Sequence, residues 1–106
     1  AGSRHRRRQH MIVSERQTDQ GLLVTACDPD VMGETFEDDD VSLTVTEDFY
    51  GGDPLDEEAV VDTLARASVA NLVGHEVVDL AIEAGYVDEE NVLEVDGTVH
   101  AQFLRF

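Results

Sequence analysis

Hydrophobic positions recur with a helical period along one long stretch of the chain, residues 55–86. Small and apolar residues there stand three or four positions apart, which is the spacing of one helical face: Val61, Leu64, Ala65, Ser68 and Leu72. Asp56 fits the N-cap of a helix, and Gly74 fits its end. We therefore predict a first helix between these two residues and a second helix over residues 75–84, which Gly85 ends.

Shorter stretches have the alternation or the apolar content of β-strands. They predict five strands, at residues 11–15, 22–27, 41–46, 92–95 and 98–104. A loop of four or five residues that ends at Gly21 joins the first two strands in a hairpin. Asp96-Gly97 separates the last two, and this pair is a strong hairpin signal.

The predicted elements define the fold class. Asp28, Pro29 and Gly33 fit the start and end of a single helical turn after the second strand. The order is then β-β-turn-β-α-α-β-β, which predicts an α+β fold with a mixed or antiparallel sheet. Two consecutive helices pack on one face of that sheet.

The first ten residues, AGSRHRRRQH, differ from the rest of the chain. They contain four of the seven basic residues and precede Met11. We interpret residues 1–10 as an expression tail that is not native. The alternative is a basic nucleic-acid-binding arm. Residues 11–106 are predicted to form a single α+β domain.

Charge from residue 11 onward is strongly negative. Three arginines stand against 24 acidic residues and lysine is absent, so the formal charge is three minus 24, or −21. This balance resembles that of proteins from extreme halophiles, which fold in molar salt, where the Debye length is about 3 Å. We expect low salt to unfold the chain. In such a proteome net charge does not exclude a nucleic-acid partner.

Cysteine usage and hydropathy bear on the compartment. A single cysteine, Cys27, cannot form an intramolecular disulfide and lies in an apolar run typical of a buried strand. No apolar segment reaches the roughly 20 residues that span a bilayer. We expect a soluble, cytoplasmic protein that does not associate with membranes.

Candidate functional residues are few. Phe49, Tyr50, Gly51 and Gly52 combine two aromatic rings with two glycines, a pattern that suits either a stacking platform or core packing followed by a turn. His100 and Gln102 are two residues apart on a predicted strand and so share a face. Asn71 is a poor helix former inside the predicted first helix, which suggests a contact with a loop or a partner.

Catalytic, metal and cofactor sites are not predicted. The acidic runs at residues 37–40 and 88–90 lack the ligand alternation and the glycine of a calcium loop, and we interpret them as solvated turns. Two histidines without a second cysteine do not match a zinc pattern. A lone histidine on a strand is more typical of structure than of catalysis.

Six short segments, taken in order, resemble the archaeal domain-of-unknown-function family number four hundred and twenty-four. They are Cys27-Asp28, Met32-Gly33-Glu34-Thr35-Phe36-Glu37, Phe49-Tyr50-Gly51-Gly52, Ala70-Asn71-Leu72-Val73-Gly74, Ala81-Ile82-Glu83-Ala84-Gly85 and His100-Ala101-Gln102. The resemblance implies a cytoplasmic archaeal protein without an established enzymatic activity, associated with translation or RNA metabolism. Acidic residues replace lysine here, so phosphate contacts of basic relatives do not carry over.

Three hypotheses about function follow. The first is a non-catalytic interaction module, an accessory protein of archaeal translation or RNA metabolism with a protein or ribonucleoprotein partner. Its surface combines Phe49, Tyr50, Gly51, Gly52, Asn71, His100 and Gln102. The alternative is a small-ligand-binding protein or enzyme that uses His100 with the Gly51-Gly52 loop to hold an anion. The third is a homodimer that pairs through the C-terminal hairpin.

Overall fold

The computed structural model describes residues 10–105, so the predicted expression tail lies outside the described residues except for His10. These residues form an α+β fold with a six-stranded mixed sheet, a separate two-stranded ribbon and three α-helices. The predicted fold class is confirmed.

Eight strands and three helices follow one another along the chain. They are β1 (Met11–Thr18), β2 (Gly21–Cys27), β3 (Thr35–Asp38), β4 (Val41–Thr44), α1 (Glu47–Tyr50), β5 (Asp53–Leu55), α2 (Glu57–Arg66), β6 (Val69–Val73), α3 (His75–Glu83), β7 (Leu93–Val95) and β8 (Thr98–Leu104). Short 3-10 turns lie at Pro29–Val31 and Glu89–Asn91.

The six-stranded sheet has the order β5-β1-β2-β6-β8-β7, and β3 pairs with β4 in the ribbon. Strands β2 and β6 run parallel, while every other neighbouring pair is antiparallel. Helix α2 lies in the connection between β2 and β6, as a parallel pair requires a long crossover.

The predicted first helix is wrong at its C-terminal end. Helix α2 ends at Arg66, and residues 69–73 form the central strand β6. Side chains on both faces of β6 are half-buried or buried, so the strand shows no alternation of apolar and polar residues that would distinguish it from a helix. The two long helices are therefore separated by a strand and are not consecutive.

Other elements also differ from the prediction. The first hairpin turns in two residues, because Thr18 pairs directly with Gly21. Strand β3, helix α1 and strand β5 are short elements of three or four residues that the sequence pattern missed. The predicted hairpin at Asp96-Gly97 is confirmed, with both residues at positive φ.

Helices α2 and α3 cover one face of the sheet, which we call the helix side. The core there includes fully buried side chains of both helices and of the strands beneath: Met11, Val24, Val60, Leu64, Leu72, Val77 and Ala81. A second, smaller cluster contains Cys27, Val31, Val45, Tyr50 and Val73 on the other side of the sheet. The sheet is thus buried on one side and only partly covered on the other.

Candidate interaction surface

Strand alternation assigns each side chain of the sheet to one of its two sides. On β6, Ala70 and Leu72 belong to the helix-side core, whereas Val73 belongs to the second cluster. Asn71 and Val69 alternate with Ala70 and Leu72, so they lie on the same side as Val73. We call this the opposite side of the sheet.

Part of the opposite side is covered by short elements that the chain adds between β2 and β5. Helix α1 and the 3-10 turn Pro29–Val31 contribute Tyr50 and Val31 to the second cluster, and Val45 joins it directly after β4. The Thr25 hydroxyl donates a hydrogen bond of 3.0 Å to the carbonyl oxygen of Phe49, which holds α1 against β2.

The apolar residues of the remaining part belong to neither hydrophobic cluster, and we call this part the open face. Its side chains come from β2, β6 and β8: Leu23, Val69, Asn71, His100, Gln102 and Leu104. They form cross-strand rows, because Leu23 pairs with Val69 and Val69 with Leu104, while Asn71 pairs with Gln102. Leu104 is 54% exposed, although it is a large apolar residue.

The open face contains no ionised carboxylate of the sheet, which is notable in a chain with 24 acidic residues. The six strands contain three acidic residues, Glu15, Asp53 and Glu94, and alternation places all three on the helix side. Apolar, amide and imidazole groups make up the open face. Surfaces of this composition are typical of the centres of protein–protein interfaces, where charged residues are depleted.

The structure brings three of the predicted site residues together. Asn71 and Gln102 are directly opposite each other on β6 and β8, and His100 is the next residue on the same side of β8. Asn71 reaches this position from a strand, and its predicted place on a helix is wrong. Within residues 10–105, neither side-chain amide has a hydrogen-bond partner.

His100 is half-buried and lies opposite Val73 on one side and Leu93 on the other. Burial lowers the pKa of its imidazole below the ordinary value of 6.5. The neutral ring therefore predominates at pH 7, and it presents one hydrogen-bond donor and one acceptor.

The two aromatic residues occupy helix α1 on the same side of the sheet. Tyr50 is only 4% exposed and packs in the second cluster, and burial raises the pKa of its hydroxyl to about 12. Phe49 is half-buried, and its ring meets the Tyr50 ring edge-on with 5.1 Å between centroids. Tyr50 is thus a core residue, and replacing it with alanine would alter stability as well as any surface.

The two glycines allow close packing of the backbone. The Gly51 amide donates a hydrogen bond of 2.7 Å to the Glu47 carbonyl oxygen. A Cβ atom at Gly52 would collide with the Val13 carbonyl oxygen on β1. Strands β1 and β8 are separated by two other strands, which puts Val13 roughly 14 Å from His100 at about 4.8 Å per strand. The Gly51-Gly52 loop and His100 are too far apart to hold one small anion together.

Each of the three arginines of residues 10–105 is engaged within the chain. Arg16 donates hydrogen bonds to the carbonyl oxygens of Asp48 and Phe49 at the end of α1. Arg105 does the same for Leu64, Ala65 and Ala67 at the end of α2. Arg66 forms two hydrogen bonds with the Glu15 carboxylate, which lowers the pKa of Glu15.

The apolar members of the open face were missed by the sequence interpretation. Leu23 and Leu104 lie in predicted strands, but which side of the sheet their side chains occupy depends on how these strands pair with their neighbours. Val69 was placed in a helix. The sequence did contain a signal for a strand, because the segment Val69–Val73 begins and ends with valine, a β-branched residue that favours strands.

Among the described residues, no three His, Cys, Asp or Glu side chains are grouped closely enough to bind a metal ion. Glu37, Asp38, Asp39 and Asp40 form the exposed tip of the ribbon. None of the helices within residues 10–105 combines the length and the apolar run that crossing a bilayer requires.

Comparisons with known proteins agree with this fold. The sequence profile of the family described as "Protein of unknown function (DUF424)" matches residues 15–106. The crystal structure of an uncharacterized conserved protein from Methanopyrus kandleri superposes with a TM-score of 0.75 at 18% sequence identity, covering 92% of this chain and 94% of that chain. At this identity the likeness shows a shared fold. No curated protein matches the sequence.

Proposed function

We propose that this chain, which belongs to the DUF424 family, is a non-catalytic interaction module that binds a positively charged protein through its open face. One observation carries the proposal. In a chain with 24 acidic residues, the sheet turns all its carboxylates to the helix side and leaves an uncharged, partly apolar surface uncovered. Such surfaces on small proteins mark sites of interaction.

Charge complementarity indicates the chemistry of the partner. Exposed acidic residues belong to helix α1 on the same side of the sheet as the open face, namely Glu47 and Asp48. They attract a positively charged surface to the rim, while the uncharged centre buries apolar area. The arginines are engaged in intrachain contacts, which favours a basic protein over the phosphate backbone of a nucleic acid.

The cellular context rests on the family resemblance alone. We propose a role in archaeal translation or RNA metabolism, in which the partner is a basic protein or a ribonucleoprotein that presents one. A cytoplasm of high salt fits the acidic composition, since salt screens the repulsion within the chain and leaves apolar burial effective.

A pull-down with a matched pair of variants tests the proposal. The tagged chain is incubated in molar salt with a lysate of a halophilic archaeon, and captured proteins are identified by mass spectrometry. Gln102→Arg places a positive charge on the open face, and Gln17→Arg makes the same change at an exposed site on the helix side. We expect Gln102→Arg to reduce capture of basic partner proteins roughly tenfold or more, and Gln17→Arg to leave it unchanged.

Equal capture by both variants would refute the open face as the binding surface. A bound metabolite without any protein partner would support the alternative, a small-ligand-binding protein. His100 lies roughly 14 Å from the Val13 backbone next to Gly52, so His100 and the Gly51-Gly52 loop could not bind one small ligand together. Thermal unfolding of both variants checks that each remains folded.

A further inference from the structure

Strand β8 is longer than its outer neighbour β7. The pairing of these two strands ends at Leu93 and His100, whereas β8 continues to Leu104. On the inner side, β8 pairs with β6 as far as Leu104. The outer edge of β8 is therefore covered only over its first half.

Backbone direction along β8 follows from two hydrogen bonds. The Val99 carbonyl oxygen accepts a hydrogen bond from the Gly74 amide, and the Arg105 amide donates one to the Ser68 carbonyl oxygen. The backbone N–H and C=O groups of odd-numbered residues of β8 therefore point inward, toward β6. Successive residues of a strand point their backbone groups to alternate edges, which turns Gln102 and Leu104 outward. No strand of residues 10–105 pairs with these two residues at the outer edge, so their two amides and two carbonyls have no strand partner within the described part of the chain.

The segment before β7 packs on the helix side of β8. Tyr86 and Val92 pack against the helix-side core, and the Tyr86 ring stacks on Phe103 with 5.7 Å between centroids. The segment thus passes on the helix side of the sheet. On the opposite side, Leu93 and Leu104 are 47% and 54% exposed and flank the unpaired stretch.

We propose that a lysine-rich extended segment of the partner protein pairs with β8 at Gln102 and Leu104 and continues β7 as an added strand. Unpaired edges of this kind are templates for strand addition, in which backbone hydrogen bonds give affinity and alternate side chains give specificity. Apolar side chains of the segment would contact Leu93 and Leu104. Its lysines would face the acidic residues nearby, Glu89, Glu90 and Glu94, all exposed.

Charge favours this occupant over a second copy of the chain. The formal charge of each copy is −17, so at the lowest salt at which the chain stays folded two copies repel, whereas a lysine-rich strand is attracted to the same edge. The inference rests on the proposed function, because the partner that supplies the segment is the one that covers the open face.

Amide hydrogen exchange of the full chain tests strand addition directly. The probe is a synthetic peptide of alternating lysine and valine, added at the lowest salt at which the chain stays folded. We expect exchange at the Gln102 and Leu104 amides to slow at least tenfold at saturating peptide, because both gain a hydrogen-bond acceptor. The inward amides of Ala101 and Phe103 face β6, with which both residues pair, and should change little.

Two substitutions at Leu104 distinguish the contribution of its backbone amide to peptide binding from that of its side chain. Leu104→Pro removes the outward amide and Leu104→Ala keeps it, so we expect the peptide to lose affinity about tenfold more with the proline variant. Unchanged exchange at Gln102 and Leu104 would overturn the proposal. Protection that rises with protein concentration in the absence of peptide would overturn it in favour of self-pairing.

The two proposals fail in different ways. If Gln102→Arg abolishes partner capture but the peptide leaves both amides unprotected, the open face binds a partner without an added strand. If the peptide protects both amides while Gln102→Arg captures partners like the unaltered chain, the edge binds strands but the proposed function is wrong.

Discussion

At the scale of single residues, His100 links the open face to the stability of the fold. Its imidazole is half-buried between Val73 and Leu93, and burial lowers its pKa below 6.5. The unfolded chain therefore takes up a proton at a higher pH than the folded chain does. The stability that depends on neutral His100 is present above about pH 6.5 and is lost as the pH falls through the lower pKa of the folded state.

This shift predicts the effect of His100→Gln. Between pH 7 and pH 5, the free energy of unfolding of the unaltered chain should fall more steeply than that of His100→Gln, because the variant has no imidazole to protonate at this position. Denaturant titrations in molar salt measure the difference, with Gln102→Asn as a control without a titrating group. An NMR titration of the His100 ring that gave a pKa at or above 6.5 would contradict the prediction.

Residue patterns predicted part of the arrangement of the open face. His100 and Gln102 share a side because they are two residues apart on a strand, which local spacing reveals. Asn71 was singled out as a poor helix former, but its pairing with Gln102 depends on strand order, which local spacing does not contain. For Tyr50, two aromatics followed by glycines fit a surface or a core equally well. Its burial depends on Cys27 and Val73, which are distant in the sequence.

At the scale of secondary-structure elements, the sequence predicted best where the determinants are local. Asp56 caps α2 as predicted, since its carboxylate accepts a hydrogen bond of 2.9 Å from the Ala59 amide. Gly85 follows α3 with a φ of +86°. Strand β6 is determined by its neighbours β2 and β8 on both sides, and its apolar positions continue the helical spacing of α2. Nonlocal pairing therefore overrode the helical pattern there.

Asp28 shows how one residue joins two elements. It was predicted to cap the local turn after β2, but its side chain makes no hydrogen bond there. The two carboxylate oxygens instead accept hydrogen bonds of 2.9 Å from the Glu76 and Val77 amides at the start of α3. Burial raises the pKa of the Asp28 carboxyl, against the opposing effect of these two bonds. Gly74 accommodates this contact, since a Cβ atom there would collide with the Asp28 carboxylate.

This cap predicts that Asp28→Asn destabilises the fold by about 1–2 kcal/mol, because the amide loses one of two acceptors for helix N–H groups and directs an NH₂ group at the other. Asp30→Asn is the matched control, an exposed aspartate on the same turn that should change stability by less than about 0.5 kcal/mol. Chemical denaturation at pH 7 in molar salt measures both. Equal effects of the two substitutions would mean that the cap does not stabilise α3.

At the scale of the whole molecule, the distribution of charge matters as much as its total. Arg16 and Arg105 hold the ends of α1 and α2, and Arg66 pairs with Glu15, so the cations stabilise the fold. The acidic residues lie mostly on the surface of helices, turns and the ribbon tip. Their mutual repulsion opposes the compact state whenever salt does not screen it. Chain length and the apolar pattern predicted a folded domain, and the charge adds a condition on the salt concentration at which the chain folds.

That condition is the broadest prediction for this protein. Dialysis from molar to millimolar salt should unfold the chain, because the Debye length grows from about 3 Å to 30 Å or more and the carboxylates then repel one another across the molecule. Circular dichroism follows the transition, and sucrose at equal osmolality in millimolar salt should restore less structure than salt does.

A variant with Asp38→Asn, Asp39→Asn and Asp40→Asn at the ribbon tip should unfold at a lower salt concentration, since it has three fewer charges there. A cooperative fold that persists unchanged at both ends of the dialysis would refute the halophilic interpretation, and an unshifted midpoint in the variant would show that screening of these charges is not its cause.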